Sequence, residues 1–363
     1  MCRRAPVLLP AARIIMVCTT AHADNLRDLI GGARQRRIGG DTGMMRRALC
    51  VGIDEYQMVS LQGCVSDAER LSSLLSRNYD ESRNFECRTM IAPAGAELSR
   101  ITRPILREAI SLLFRDKADI AFLHFSGHGT VNNLDGYLVT QDAQRYDEGV
   151  PMSEILRLAN ASPIPEIVIF LDCCYAGVFG NPPPIDNAKA ELREGISILT
   201  ASRGDQPSVE AGGGGLFTSL AIDALEGGAA DLLGAVTAPG VYAYVEAALG
   251  AWDQRPLFKA HLARVVPLRC CAPPVSRPLL RRLPALFPHP AENLALDPSF
   301  EPTAPQADPL NVEVFSALQE LARVHLVTPV DARHMYDAAM ESRACRLTPS
   351  GRYYWRLARE NRL

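Results

Sequence analysis

The sequence predicts an α/β protein with a mainly parallel central sheet, helices on both of its faces, and a small helical module at the C-terminal end. Short, near-continuous apolar runs of strand length alternate with segments whose apolar residues recur at helical spacing, which is how strands buried on both faces read. The chain has 363 residues, 47% apolar and 22% charged, enough to bury a sizeable core and a second unit. Prolines then crowd residues 267–308, marking a linker ahead of residues 309–363.

Residues 1–43 are expected to be a loose N-terminal extension. Arg3 and Arg4 precede an apolar run from Ala5 to Val17, and Ala21-His22-Ala23 has the small residues of a signal-peptide cleavage site. Arg13 interrupts that run, and no later segment approaches the ~18 uninterrupted apolar residues of a spanning helix, so no membrane partner is expected.

The core domain is expected over residues 44–266. Ala48–Ile53 is a buried strand ending at Asp54-Glu55, Val65–Leu75 a helix, and Phe85–Ile91 a second strand. Leu98–Phe114 is a helix and Ala118–Phe125 a strongly apolar strand. Met152–Leu158 gives a short helix, Ile167–Leu171 and Ile196–Leu199 give strands, and Leu216–Leu225 and Val241–Leu249 give helices. In the terminal module, Val312–Val327, Val330–Met340 and Tyr353–Arg359 are expected as helices, with Leu347–Gly351 as a turn.

Charge and cysteines narrow the class. A net charge of -3 gives no basic field, so nucleic acid is not an expected partner. The ten cysteines include no zinc-type C-x-x-C pairing, and in a chain of this length such scattered thiols fit a reducing, cytoplasmic setting. Arg343, Arg346, Arg352, Arg356 and Arg359 interleave with Tyr353, Tyr354 and Trp355 as a solvated helix face, and the module is expected to regulate or to recruit a protein partner.

Two strands end in residues able to do chemistry: Phe125-Ser126-Gly127-His128-Gly129 and Leu171-Asp172-Cys173-Cys174-Tyr175-Ala176-Gly177. Ligands of open parallel sheets sit at the carboxyl ends of the strands. A thiolate is the reactive form of cysteine, and a neighbouring imidazole both raises the thiolate fraction and delivers a proton to a departing amine. His128 and Cys174 are therefore the expected catalytic pair. The flanking glycines let backbone N–H groups approach a reacting carbonyl, which makes the Gly129 and Cys174 amides the expected oxyanion hole.

Ser126-Gly-His-Gly129 and Asp172-Cys-Cys-Tyr-Ala-Gly177 resemble the paired signatures of caspase-like cysteine peptidases, nearest the bacterial metacaspase-like branch. The resemblance extends over Gly52–Tyr56, Leu61–Ala68, Thr200–Gln206 and Gly215–Thr218, and covers residues 46–265. It implies a caspase-hemoglobinase fold and a cysteine endopeptidase acting on protein or peptide substrates, in a regulatory, defence or cell-death pathway. It makes Cys174 the nucleophile, with Cys173 as the variable neighbour, and gives Cys64, Asp67, Ser126 and Asp172 as the substrate pocket. A carboxylate pair at the base of a pocket favours an arginine or lysine side chain.

The resemblance also implies self-processing. Phe179–Glu194 contains Pro182-Pro-Pro184 and polar residues, so it reads as an exposed loop whose Lys189 and Arg193 are the possible cleavage points. Calcium activation, common in that branch, needs a cluster of oxygen ligands. Here Asp135, Asp142 and Asp147 with Met152-Ser153-Glu154 make a poor one, so no metal and no cofactor are expected. An inactive caspase-like scaffold, recruiting partners through residues 309–363, is the alternative reading.

Overall fold

The computed structural model describes residues 44–132, 134–145, 147–173, 191–201, 210–211, 214–249 and 255–363. Six strands form the central sheet, in the order Leu257–His261, Ile196–Thr200, Glu166–Asp172, Ile120–Ser126, Arg46–Ile53 and Glu86–Ala92. Neighbours run parallel except Leu257–His261, which pairs antiparallel with Ile196–Thr200 at one edge. The four inner strands are buried almost throughout, which is why they read as continuous rather than alternating.

Side chains alternate across the sheet and sort into two cores. Leu49, Val51 and Ile53 pack with the helices Arg103–Arg115 and Met152–Ala161 on one face. Ala48 and Cys50 pack with the helices Cys64–Ser76, Leu216–Asp223 and Ala238–Ala248 on the other. On that second face Phe122, Phe170 and Phe217 meet edge to face, with centroids 4.9 and 6.1 Å apart. Burying each such ring stabilises the fold by roughly 2–3 kcal/mol.

Helix starts follow local chemistry more than periodicity. The helix expected from Leu98 begins at Arg103, where Pro104 occupies the first turn and costs no hydrogen bond, while Leu98 is exposed. Ahead of the helix Cys64–Ser76, Asp54 Oδ1 accepts from the Cys64 amide at 2.9 Å, so the carboxylate ending the first strand caps the first helix. A short antiparallel sheet, Gly129–Val131, Gly136–Gln144 and Asp147–Pro151, was not anticipated. Its strands are only half buried and carry no strong apolar run.

The expected linker is folded, which corrects the reading of residues 267–308. Pro267–Cys270 pairs antiparallel with Ala235–Thr237. Short helices at Arg277–Arg281 and Leu283–Leu286 contribute Leu279, Leu280 and Leu283 to one core with Phe315, Leu318, Leu321 and Trp355. Pro278 and Pro284 sit in the first turns of those helices, where a missing N–H is harmless, so residues that read as breakers are starters. The Trp355 indole N–H donates to the Phe287 carbonyl at 2.7 Å.

The terminal module also differs in detail. Pro309–Arg323, Met335–Met340 and Pro349–Arg359 are helices, and strands at Leu294–Ala295, Ala344–Leu347 and Val327–Val330 form a small antiparallel sheet. The expected turn at Leu347–Gly351 is a helix start, with the Thr348 hydroxyl accepting from the Gly351 amide at 3.0 Å. Among the described residues no helix is long and apolar enough to cross a membrane.

Candidate active site

Strands Ile120–Ser126 and Glu166–Asp172 are parallel neighbours whose last residues, Ser126 and Asp172, are register partners. Just beyond, the Gly127 N–H donates to the Asp172 carbonyl at 3.2 Å, tying the two chain exits together. His128 lies two residues past Ser126, and Cys174 two residues past Asp172. Cys174 and Lys189 lie outside the described residues.

His128 is held from three sides. Its ring Nε2 lies 2.8 Å from the Val59 carbonyl oxygen. A carbonyl only accepts, so Nε2 carries a proton and donates, and in the neutral form of the ring the free electron pair is then on Nδ1. Its backbone N–H donates to the Tyr56 hydroxyl at 2.9 Å, and the Tyr56 ring packs on the imidazole with centroids 4.6 Å apart. Tyr56 is buried, which pushes its phenol well above the ordinary range and keeps it a neutral hydroxyl.

Gly129 opens the short strand after His128. The Val139 amide donates to the His128 carbonyl at 3.0 Å while Gly129 faces Leu138 across the ladder. That is the bonding of a non-hydrogen-bonded pair, so the Gly129 N–H is directed away from the Leu138 strand. Cys173 is fully buried in the apolar core on the sheet face of Leu49, Val51 and Ile53, unlike a nucleophile open to substrate.

The four expected pocket residues are gathered at the same end of the sheet. Asp67, in the first turn of Cys64–Ser76, is fully buried, and its Oδ2 accepts from the Ser126 hydroxyl at 3.2 Å and the Gly215 amide at 2.9 Å. Its Oδ1 has no hydrogen-bond partner among the described residues. Burial, followed by the nearby Asp172 charge against the opposing Gly215 bond, pushes Asp67 up to about 7. Burial also pushes the Cys64 thiol up, against the Ser126 hydroxyl beside it, so Cys64 stays a neutral thiol.

Asp172 Oδ2 accepts from the Thr218 backbone N–H at 3.1 Å and from its hydroxyl at 2.8 Å. A Cβ on Gly215 would lie 2.0 Å from the same oxygen, so any side chain there would displace the Asp172 carboxylate. Thr218, Tyr56 and the Val59 carbonyl carry no sequence signal of their own. Gly215-Leu-Phe-Thr218 and Tyr56 fall within the strings that resemble the caspase-like family, but those strings assign them no task.

Other expected residues are otherwise engaged. The Arg193 guanidinium donates to the carbonyls of Ala159 at 3.2 Å, Ile164 at 2.5 Å and Glu194 at 2.6 Å, tying the last turn of the helix Met152–Ala161 to the segments around Ile164 and Glu194. Asp135 accepts from the Ser153 amide, Asp142 from the Arg103 amide, and Asp147 pairs with Arg103. These carboxylates serve two helix starts, and among the described residues no group of three acidic, histidine or cysteine side chains is placed to hold a metal.

A family model described as the caspase domain matches residues 45–265. Metacaspase-1 of Botryotinia fuckeliana is 24% identical over 176 residues, 44% of this chain and 41% of that protein. Metacaspase-1 of Schizosaccharomyces pombe is 26% identical over 166 residues, 41% of this chain and 38% of that protein. The chain thus spans about two fifths of the length of these curated relatives. A crystal structure of caspase-1 from Spodoptera frugiperda superposes with a TM-score of 0.44 and 13% identity, over 62% of this chain and 92% of that one.

Proposed function

This chain belongs to the caspase-domain family, and from that premise we propose that it is a cysteine endopeptidase using Cys174 as nucleophile and His128 as its proton-transfer partner. The observation that carries the reading is the pairing of Ser126 with Asp172: two neighbouring parallel strands end level, and the histidine and the cysteine each follow two residues later. The carboxyl edge of such a sheet, where these two strands end, is where ligands of open parallel sheets bind.

The chemistry follows from the imidazole's orientation. With Nε2–H bound to the Val59 carbonyl, Nδ1 accepts the Cys174 proton, and the imidazolium that forms is stabilised by that same carbonyl. The thiolate attacks the scissile carbonyl carbon, and the oxygen gains negative charge that the Gly129 and Cys174 amides stabilise. Collapse of this intermediate expels the amine, which takes its proton from His128 and leaves a thioester. Water, losing its proton to the imidazole, then hydrolyses the thioester and frees the enzyme.

The substrate is cut after arginine or lysine. Asp67 and Asp172 are two buried carboxylates at the pocket base, and a cation entering there relieves their repulsion and meets the unpartnered Asp67 Oδ1. Fluorogenic peptides that differ only in the residue before the cut test this. Turnover is expected to be much faster for arginyl and lysyl peptides than for peptides with any other residue at that position, and to be abolished in Cys174→Ala and His128→Ala. Equal turnover of aspartyl peptides would rule out the pocket assignment, and turnover surviving both substitutions would rule out the dyad.

A further inference from the structure

Phe122, His124 and Ser126 alternate onto one face of their strand, so His124 stands where an aromatic core residue is expected, beside the layer of Phe122, Phe170 and Phe217. His124 is fully buried, and burial lowers its pKa to about 3, so the ring is neutral at any working pH. Its Nε2 lies 3.2 Å from the Thr218 hydroxyl oxygen, and its Nδ1 has no partner among the described residues. A phenylalanine would suit this position better, since a buried polar atom without a partner costs stability. Local departures of that kind mark functional sites.

The direction of the chain of bonds can be assigned. Thr218 has one hydroxyl proton, and it goes to the Asp172 carboxylate, which only accepts. The Thr218 oxygen therefore accepts from His124, and His124 is the Nε2–H tautomer. A donor on the Thr218 oxygen prevents the hydroxyl from turning toward His124 and keeps its proton on Asp172. Asp172 Oδ2 is thereby pinned by two donors from one residue.

We propose that His124 is a positioning residue of the specificity pocket, acting through Thr218 to fix the Asp172 carboxylate in the orientation that meets the substrate's cation. This rests on the reading of the pocket as one for arginine or lysine. His124 touches neither the substrate nor the reacting atoms.

The test compares kcat and KM of the full chain on two peptides that differ only in arginine or norleucine before the cut. In His124→Phe the arginine-over-norleucine ratio is expected to fall about tenfold, through KM, as befits loss of a hydrogen bond directed at a charged group. The norleucyl peptide should be cut at the wild-type rate, and the variant should melt no lower than wild type. His124→Gln, whose amide N–H reaches the same oxygen, should keep the ratio within about threefold. Thr218→Val should reproduce the loss, and the double variant should be no worse than Thr218→Val alone.

An unchanged ratio in His124→Phe overturns the proposal, as does an equal loss on both peptides in His124→Phe, His124→Gln and Thr218→Val. If His124→Phe does not fold, the contrast between His124→Gln and Thr218→Val decides. A wild-type enzyme with no preference for arginine removes the pocket reading itself, whereas a wild-type preference that survives in His124→Phe removes only the role of His124.

Discussion

The Nε2 of His128 lies 2.8 Å from the carbonyl oxygen of Val59, a residue 69 positions earlier in the loop after the first strand. In the proposed dyad a main-chain oxygen would do the orienting that a carboxylate performs in a Ser-His-Asp triad, without adding a charge. The same loop sends Tyr56 under the imidazole, where its hydroxyl receives the His128 amide.

Removing that hydroxyl tests the support. Tyr56→Phe leaves the His128 amide without its acceptor, which costs about 1–3 kcal/mol if the amide stays buried. Chemical denaturation should register that loss, and kcat should fall about tenfold with little change in KM, because the imidazole and not the pocket is disturbed. Wild-type kcat in Tyr56→Phe would show that the ring alone is sufficient.

On the proposed pocket reading, Asp67 gives the preference for arginine a dependence on pH. Its folded value of about 7 exceeds its ordinary 3.8, so folding takes up a proton between the two. The stability contributed by the neutral acid is complete below the lower value and is lost as the pH rises through the upper one. Asp67→Asn should therefore melt higher than wild type at pH 8, with the gap closing toward pH 5. In wild type the arginine-over-norleucine ratio should climb across about pH 7 as the second carboxylate ionises, and in Asp67→Asn it should stay flat. A ratio that climbs equally in both proteins would assign the titration elsewhere.

Arg193 is committed to the carbonyls of Ala159 and Ile164, so self-processing is expected after Lys189 and not after Arg193. Mapping new termini after incubation, beside Cys174→Ala, distinguishes the two. Arg193→Ala should lower stability by about 1–2 kcal/mol and leave the cleavage pattern intact. A new terminus at Glu194 would contradict this assignment.

The strands and the site were legible for different reasons. Ile120–Ser126 and Glu166–Asp172 are buried on both faces, so their apolar runs give them away, and residues able to do chemistry stand out at the ends. Asp67 and Asp172 follow only from the family resemblance, and they meet Ser126, Gly215 and Thr218 through contacts spanning up to 148 residues that periodicity cannot reveal. His124 was unreadable because one polar residue within an apolar strand leaves the pattern unchanged. Residues 267–308 misled because a proline at a helix start and a proline that ends one are the same letter.

That folded segment makes a further expectation concrete. With Leu279, Leu280 and Leu283 buried beside Trp355, limited trypsin digestion should cut slowly at Arg277, Arg281 and Arg282. Rapid cleavage there, ahead of cleavage elsewhere, would restore a linker.

The most direct trial of the dyad is mass spectrometry of the protein after treatment with a thiol-reactive peptidyl-arginine probe, read as the site and rate of labelling. A single adduct on Cys174, formed much more slowly in His128→Ala and absent in Cys174→Ala, is the expected result. An adduct on another cysteine, or labelling of His128→Ala at the wild-type rate, would contradict it.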